Sequence, residues 1–307
     1  MSFSRCTHFL RPIKQPFIRT YSRKLPTNYF SLIGMSSAAA LSTSATAFPA
    51  QTYQPSYDTW PYHEDDFTRY DETDDADFYR QPRLVTHIDD ASIERLTDYY
   101  DTVLPPKGRI LDMCTSWKSF YPSAHKGAVQ RKELEVFGVG LNAAEMELNG
   151  LFQDTQHWRV LDLNKAPYDV RAGWPDFKDK GEGELVFDAV TCVVSIDYLV
   201  KPREVCRNLL AATKEGGQVH LVISNRCFPN KVVRRWMMLS EKGRLELVGD
   251  YLHFSGWKDV EIVDLCARDE SGMRITDDHG TVLSRSSGLP GHLDPLWVVR
   301  GTKRTDS

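Results

Sequence analysis

Between residues 110 and 299 the sequence alternates short apolar runs with segments of helical spacing, and this alternation constrains the fold more than any other feature. The runs at 110–113, 136–139, 159–163, 186–194 and 219–224 are rich in Val, Ile and Leu and are too short for buried helices. Between and after them, 143–152, 203–214 and 231–239 place apolar residues at helical intervals. Strands linked through helices run parallel, and a parallel sheet needs both of its faces covered. Two later runs, 260–266 and 296–299, are separated by the polar, glycine-bearing stretch 268–292, which predicts an antiparallel strand closing the sheet. The expected fold class is therefore α/β, a doubly wound, mostly parallel seven-stranded sheet with an antiparallel edge strand.

Charge divides the rest of the 307-residue chain. Residues 1–57 hold Arg5, Arg11, Lys14, Arg19, Arg23 and Lys24 and no acid, so the 38 basic and 42 acidic residues of the whole leave an excess of about ten acids beyond them. An acid-free, Arg-bearing, Ser-rich start has the pattern of a mitochondrial presequence, with Arg19 just upstream of a cut after Tyr21 in "FIRTYS". Chloroplast import and a cytoplasmic basic tail are the alternatives. Residues 1–57 are read as a targeting presequence followed by a disordered linker, since 35–50 is low in complexity. Residues 58–77 hold nine acids and one base and are read as a solvated, disordered segment, with Trp60, Tyr62, Phe67 and Tyr70 available for partial docking. In 78–104 an Asp89 or Asp90 cap, apolar Ile93, Leu96, Tyr100 and Val103, and the stop Pro105-Pro106 predict a helix, taken as a lid over the domain spanning 105–303. The cysteines Cys6, Cys114, Cys192, Cys206, Cys227 and Cys266 form no CxxC pair, so no metal site is expected and the thiols read as reduced. No apolar run is long enough for a transmembrane helix.

The stretch "GRILDMCTSWKSFYP", 108–122, opens the sheet with a strand, an acid at its end, and a turn without glycine. Together with "FDAVTCVVSIDYL" at 187–199 and "REVCRNLLAATKEGGQVHLVISN" at 203–225, it resembles the class I S-adenosylmethionine-dependent methyltransferases, in particular the methyltransferase type 11 group. The resemblance covers about two-thirds of the chain and implies a Rossmann-like sheet, with S-adenosyl-L-methionine as cofactor. It implies cofactor contacts at Asp112, Met113, Cys114, Thr115 and Ser116, where the family has a carboxylate and closely spaced glycines. It implies ribose contacts at Gly140, Leu141 and Asn142, where the family ends the strand with an acid, and adenine contacts at Asp162, Leu163 and Asn164. Asp112, small Cys114, Thr115 and Ser116, and the neutral acceptor Asn142 are what this chain offers in those places.

Substrate belongs at the carboxyl ends of the strands in an open α/β sheet. Asp197 and Tyr198 are candidate bases there, and Asn225 and Arg226 candidate substrate contacts. The function expected is a methyltransferase of unknown acceptor, a small molecule or a protein. The alternative is a protein that keeps the fold without turnover and acts in binding or assembly. A nicotinamide enzyme would want GxGxxG after the first strand, and 111–121 has no glycine. Acid excess disfavours nucleic acid, and the one short basic cluster, "KVVRRW" at 231–236, reads as a solvated face.

Overall fold

The computed structural model describes residues 48–152, 154–177, 183–283 and 291–305, so residues 1–47, on which the expected import signal falls, lie outside the described residues. The strands are β1 (Ala50–Thr52), β2 (Gly108–Met113), β3 (Leu134–Gly140), β4 (Trp158–Val160), β5 (Phe187–Val193), β6 (Thr213–Ser224), β7 (Lys258–Asp264) and β8 (Leu296–Thr302). The helices are α1 (Asp75–Phe78), α2 (Asp90–Val103), α3 (Ser123–Gln130), α4 (Ala143–Glu147), α5 (Pro202–Ala211), α6 (Arg234–Met237) and α7 (Glu241–His253).

One sheet takes all the strands, in the order β1-β7-β8-β6-β5-β2-β3-β4. β4, β3, β2, β5 and β6 run parallel. The antiparallel β8 lies between β6 and β7, and β1 adds an antiparallel edge outside β7. This is the doubly wound, Rossmann-like sheet expected, with eight strands instead of seven. β1 was not legible locally because "AQT" is short and exposed on every residue. The chain leaves β2 for β3 on one side and later returns to β5 on the other, so the switch in strand order falls at β2.

Period-two alternation sends neighbouring residues to opposite layers. Leu111, Met113, Phe137 and Val139 face one core with Val205 and Leu209 of α5 and Val248 and Tyr251 of α7. Ile110 and Val136 face the other, with Leu96, Tyr99 and Tyr100 of α2 and Val129 of α3. α2 is therefore a core layer and not a lid. Its Asp89 cap accepts from the Ser92 amide at 2.7 Å, as the sequence suggested, but Leu96, Tyr99 and Tyr100 of its apolar face are buried in the core, with Ile93 and Val103 partly buried beside them. Two helix expectations also shift. The 143–152 helix ends at Glu147, and of 231–239 only α6 is helical, because Val232 and Val233 are buried in the approach to it. The long helix over this face is α7, started by the Ser240 cap.

The acidic stretch 58–77 is a folded strap, which corrects the reading of it as disordered. Trp60 stacks on Phe67 at 6.0 Å and meets Tyr251 and Phe254, while Tyr53 and Tyr62 both donate to the buried Asp250 carboxylate. Asp75 is 5% exposed and takes both Arg69, at 2.7 Å, and Lys231, at 3.2 Å. Lys231 itself is 1% exposed and donates to the Thr73 carbonyl at 2.6 Å. Within the basic cluster at 231–236, Lys231 is thus an internal anchor for the strap, whereas Arg234 keeps to the solvated face expected of it. Burial is tolerable because each charge has an opposite partner with further hydrogen bonds.

Candidate functional site

The turn after β2 keeps a close approach without glycines of its own. Cys114 takes the left-handed φ of 56° that a glycine would adopt freely. The next amide, Thr115 N–H, donates to the Val139 carbonyl at 2.8 Å, fastening the turn over β3. The glycines that permit this lie on β3. A Cβ on Gly140 would stand 2.2 Å from the Thr115 carbonyl oxygen, and one on Gly138 would stand 2.3 Å from the Phe152 ring and 2.9 Å from the Thr115 methyl. Trp117 does not fill the space in front of the turn; its indole donates to the Val85 carbonyl at 3.2 Å.

In front of this turn, at the carboxyl ends of β2 to β5, lies a cavity of about 740 Å³. All eleven residues expected at the cofactor line it, namely Asp112, Met113, Cys114, Thr115, Ser116, Gly140, Leu141, Asn142, Asp162, Leu163 and Asn164. Tyr198 and Arg226 also line it. Asp197 and Asn225 do not, and Asn225 faces a smaller cavity of about 310 Å³ beside α7.

Hydrogen bonding assigns these residues different chemistry. Asp112 accepts from Thr115 Oγ1 at 2.7 Å, Ser119 Oγ at 2.5 Å and Thr191 Oγ1 at 3.2 Å. Burial pushes its carboxyl up from the usual range, and the three hydroxyls pull it back. Asn142 is not a free acceptor. Its Oδ1 caps α4 through the Glu145 amide at 3.1 Å, and its Nδ2 holds the Tyr79 carbonyl at 2.8 Å. Asn164 is a clasp between segments, donating to Asp75 and the Tyr198 carbonyl and accepting from the Val200 amide. Among the described residues the Asp162 carboxylate accepts from the Asn164 amide at 2.9 Å and pairs loosely with Lys165 at 3.4 Å, which leaves lone pairs available.

The acid missing from the end of β3 reappears one turn into α4. Glu145 is buried, accepting from Ser116 Oγ at 2.5 Å and from the Arg83 amide at 2.7 Å. The run Asn142-Ala-Ala-Glu145 was a legible capping signature that marks where such an acid sits. The strap and the segment that follows it, 78–88, supply further lining residues. Asp75, Tyr79, Arg83 and His87 line the cavity, with Arg83 and His87 packed on the Phe228 ring.

On the β5 side, Tyr198 OH accepts from the Phe228 amide at 2.8 Å, and burial pushes its phenol well up. Arg226 is engaged with Asp294 at 2.7 Å. Asp197 is buried behind the cavity wall with Oδ2 unpartnered, and burial raises its carboxyl to about 7. Among the described residues no group of three or more His, Cys, Asp or Glu is arranged for a metal, and no helix is long and apolar enough to cross a membrane.

No family model matches the chain, and no curated protein does. Among solved structures it is similar to the cyclase SpnF, with a TM-score of 0.42 and 14% identity over 69% of this chain and 82% of that one. It is also similar to phosphoethanolamine N-methyltransferase 2 of Haemonchus contortus in complex with S-adenosyl-L-methionine, with a TM-score of 0.41 and 16% identity over 69% and 52%. The YcgJ protein of Bacillus subtilis gives a TM-score of 0.39 and 14% identity over 70% and 99%. The fold class rests on the strand order and register described above.

Proposed function

We propose that the protein is an S-adenosylmethionine-dependent methyltransferase. The observation that carries this reading is the convergence of Asp112, Glu145 and Asp162, from three successive strand-to-helix connections, on one cavity at the switch point of the sheet. The residues present fit the cofactor. Asp112 and Glu145 offset the positive charge of an ammonium and a sulfonium, Asp162 has lone pairs for an adenine amino group, and Leu141, Leu161 and Leu163 give apolar walls.

The cofactor supplies a methyl group on a sulfonium centre, open to in-line displacement by a nucleophile. The chain's part is to position and to exclude water. The strap, with Tyr79 and Arg83, walls the cavity on the side facing α4. Tyr198, with its phenol held protonated and its oxygen already accepting from Phe228, acts as a hydrogen-bond donor to the acceptor and not as a base. Asp197 lies outside the cavity lining, so it supports the wall instead of touching substrate. A cavity walled by the strap suits a small-molecule acceptor.

Calorimetry of the full chain with S-adenosylhomocysteine tests the reading. Binding at a dissociation constant of about 100 μM or tighter is expected. No heat at millimolar ligand, from folded protein, would leave the fold-without-turnover role instead. We also propose mitochondrial import: residues 1–47 fused to a fluorescent reporter should reach mitochondria and be shortened near Tyr21, and a diffuse full-length reporter would refute it.

A further inference from the structure

Arg83 is a cation of the cavity wall that has no anionic partner among the described residues. Its guanidinium carbon stands 4.3 Å from the Phe78 ring centroid and 4.9 Å from that of Phe228, so rings from two segments displace water from it. Its one side-chain hydrogen bond among the described residues is long, Nη2 to the Phe78 carbonyl at 3.4 Å, and Nη1 is buried without a partner. Other cations nearby are engaged, Arg226 by Asp294, Lys231 by Asp75 and Lys165 by Asp74. Its main chain is tied to Glu145 through the amide, and the Phe78 and Phe228 rings hold the guanidinium. A fixed guanidinium with most of its donors unmet is half of a carboxylate or phosphate site.

Position says which anion completes it. The carboxylates Asp112, Glu145 and Asp162 come from the β2, β3 and β4 connections, where a cationic cofactor is complemented. The Arg83 guanidinium instead stacks on Phe228, after β6, whose ring lies 5.5 Å from Phe78 and 6.1 Å from Tyr198. The guanidinium therefore lies against the aromatic side of the cavity, where the acids Asp75 and Asp294 are already paired with Lys231 and Arg226, while its main chain is tied to Glu145. We propose that Arg83 anchors an anionic group of the methyl acceptor, a carboxylate or a phosphate, whose body lies against Phe78, Tyr198 and Phe228. This inference rests on the methyltransferase reading above.

The test uses the full-length chain and the variants Arg83→Gln and Arg83→Lys, with S-adenosylhomocysteine, 5′-methylthioadenosine, benzoate, phenyl phosphate and neutral benzamide as probes. In protein saturated with S-adenosylhomocysteine, benzoate or phenyl phosphate should bind and benzamide should bind about tenfold or more weakly, the ratio for losing a charged hydrogen bond. Arg83→Gln should lose that anion binding by about tenfold or more while holding S-adenosylhomocysteine within about twofold, and Arg83→Lys should retain part of it. Thermal melting of each ligand-free variant confirms that a loss is not unfolding. If Arg83→Gln weakens S-adenosylhomocysteine but not 5′-methylthioadenosine, which lacks the carboxylate, Arg83 serves the cofactor and the proposal is overturned. Unchanged anion binding in Arg83→Gln, or none in the parent, overturns it too. A parent that binds no S-adenosylhomocysteine sinks the methyltransferase reading and the acceptor role together, whereas a parent that binds it but no anion sinks this proposal alone.

Discussion

Gly140 shows how a local sequence departure can be compensated on a neighbouring strand. The turn "DMCTS" lacks the glycines its position calls for, yet the turn still lies against β3 because β3 itself reads "FGVG". Gly140→Ala would set a methyl 2.2 Å from the Thr115 carbonyl oxygen, and backbone cannot swing aside as a flexible side chain can. We expect this variant to lose about 1 to 3 kcal/mol in urea denaturation, the range for overpacking, and to bind S-adenosylhomocysteine more weakly as the turn is pushed outward. Unchanged stability would mean that the turn is not seated as described. Asp197 predicts a different signature. Its folded carboxyl, at about 7, lies above the unfolded value of about 3.9, so the folded state holds the proton more tightly. Its contribution is fully present below about pH 4 and is lost as pH rises through about 7, a change on the order of a few kcal/mol. Tyr79, Tyr198, Cys192, Cys227 and Tyr251 are within its electrostatic reach, and the cation opposing the shift is Arg244. Asp197→Asn should match the parent near pH 4 and exceed its stability near pH 8. Parallel stability curves from pH 4 to 8 would remove Asp197 from that account.

The strap joins elements that sequence reasoning placed in separate categories. Its acids looked like a solvated run because a local window counts charge but cannot see partners. Those partners lie more than 150 residues away, at Lys231 for Asp75 and at α7 for the Trp60 cluster. Replacing Lys231 by Met should therefore leave Asp75 and the Thr73 carbonyl short of a buried donor. A loss of about 3 kcal/mol or more is expected, with protease cuts appearing between 58 and 77, while an exposed lysine would cost under about 1 kcal/mol. Full resistance to cutting in the variant would show that the ion pair does not hold the strap. The central strands were legible for the opposite reason. Val, Ile and Leu runs such as 186–194 and 219–224 are buried on both faces, so their composition alone reports their environment. Asp112 and the small residues of the first turn were found because they end or follow such a strand, and Asp162 because "RVLDLN" at 159–164 resembles the family's segment after the third strand. Glu145 and Arg83 escaped because they reach the cavity from a short helix and from an irregular segment after the strap, without periodicity. α2 was recognised as a helix but misassigned as a lid, since amphipathic spacing gives a buried face without saying what buries it.

The folded body begins ahead of the acidic strap, and this decides where the chain can be shortened. β1 pairs Ala50, Gln51 and Thr52 with Val263, Ile262 and Glu261, the Pro49 carbonyl accepts from the Asp264 amide at 2.8 Å, and the Tyr53 amide donates to the Val260 carbonyl at 2.9 Å. Tyr53 is buried at 7% exposure, lies where a Cβ on Gly249 would come within 2.4 Å of its ring, and donates to Asp250. A chain that starts at Phe48 keeps all of these contacts, whereas one that starts at Asp58 exposes the edge of β7, opens the groove over Gly249 and leaves Asp250 with Tyr62 alone. Burying an aromatic side chain and satisfying a buried carboxylate each contribute on the order of 1 to 3 kcal/mol. The chain starting at Asp58 should therefore unfold at least about 3 kcal/mol more readily in urea than the one starting at Phe48. A proteolytic cut near Tyr21 falls well before this boundary and would leave every contact named here untouched. Equal stability of the two shortened chains would show that 48–57 only decorates the sheet, and the functional body would then begin at the acidic strap.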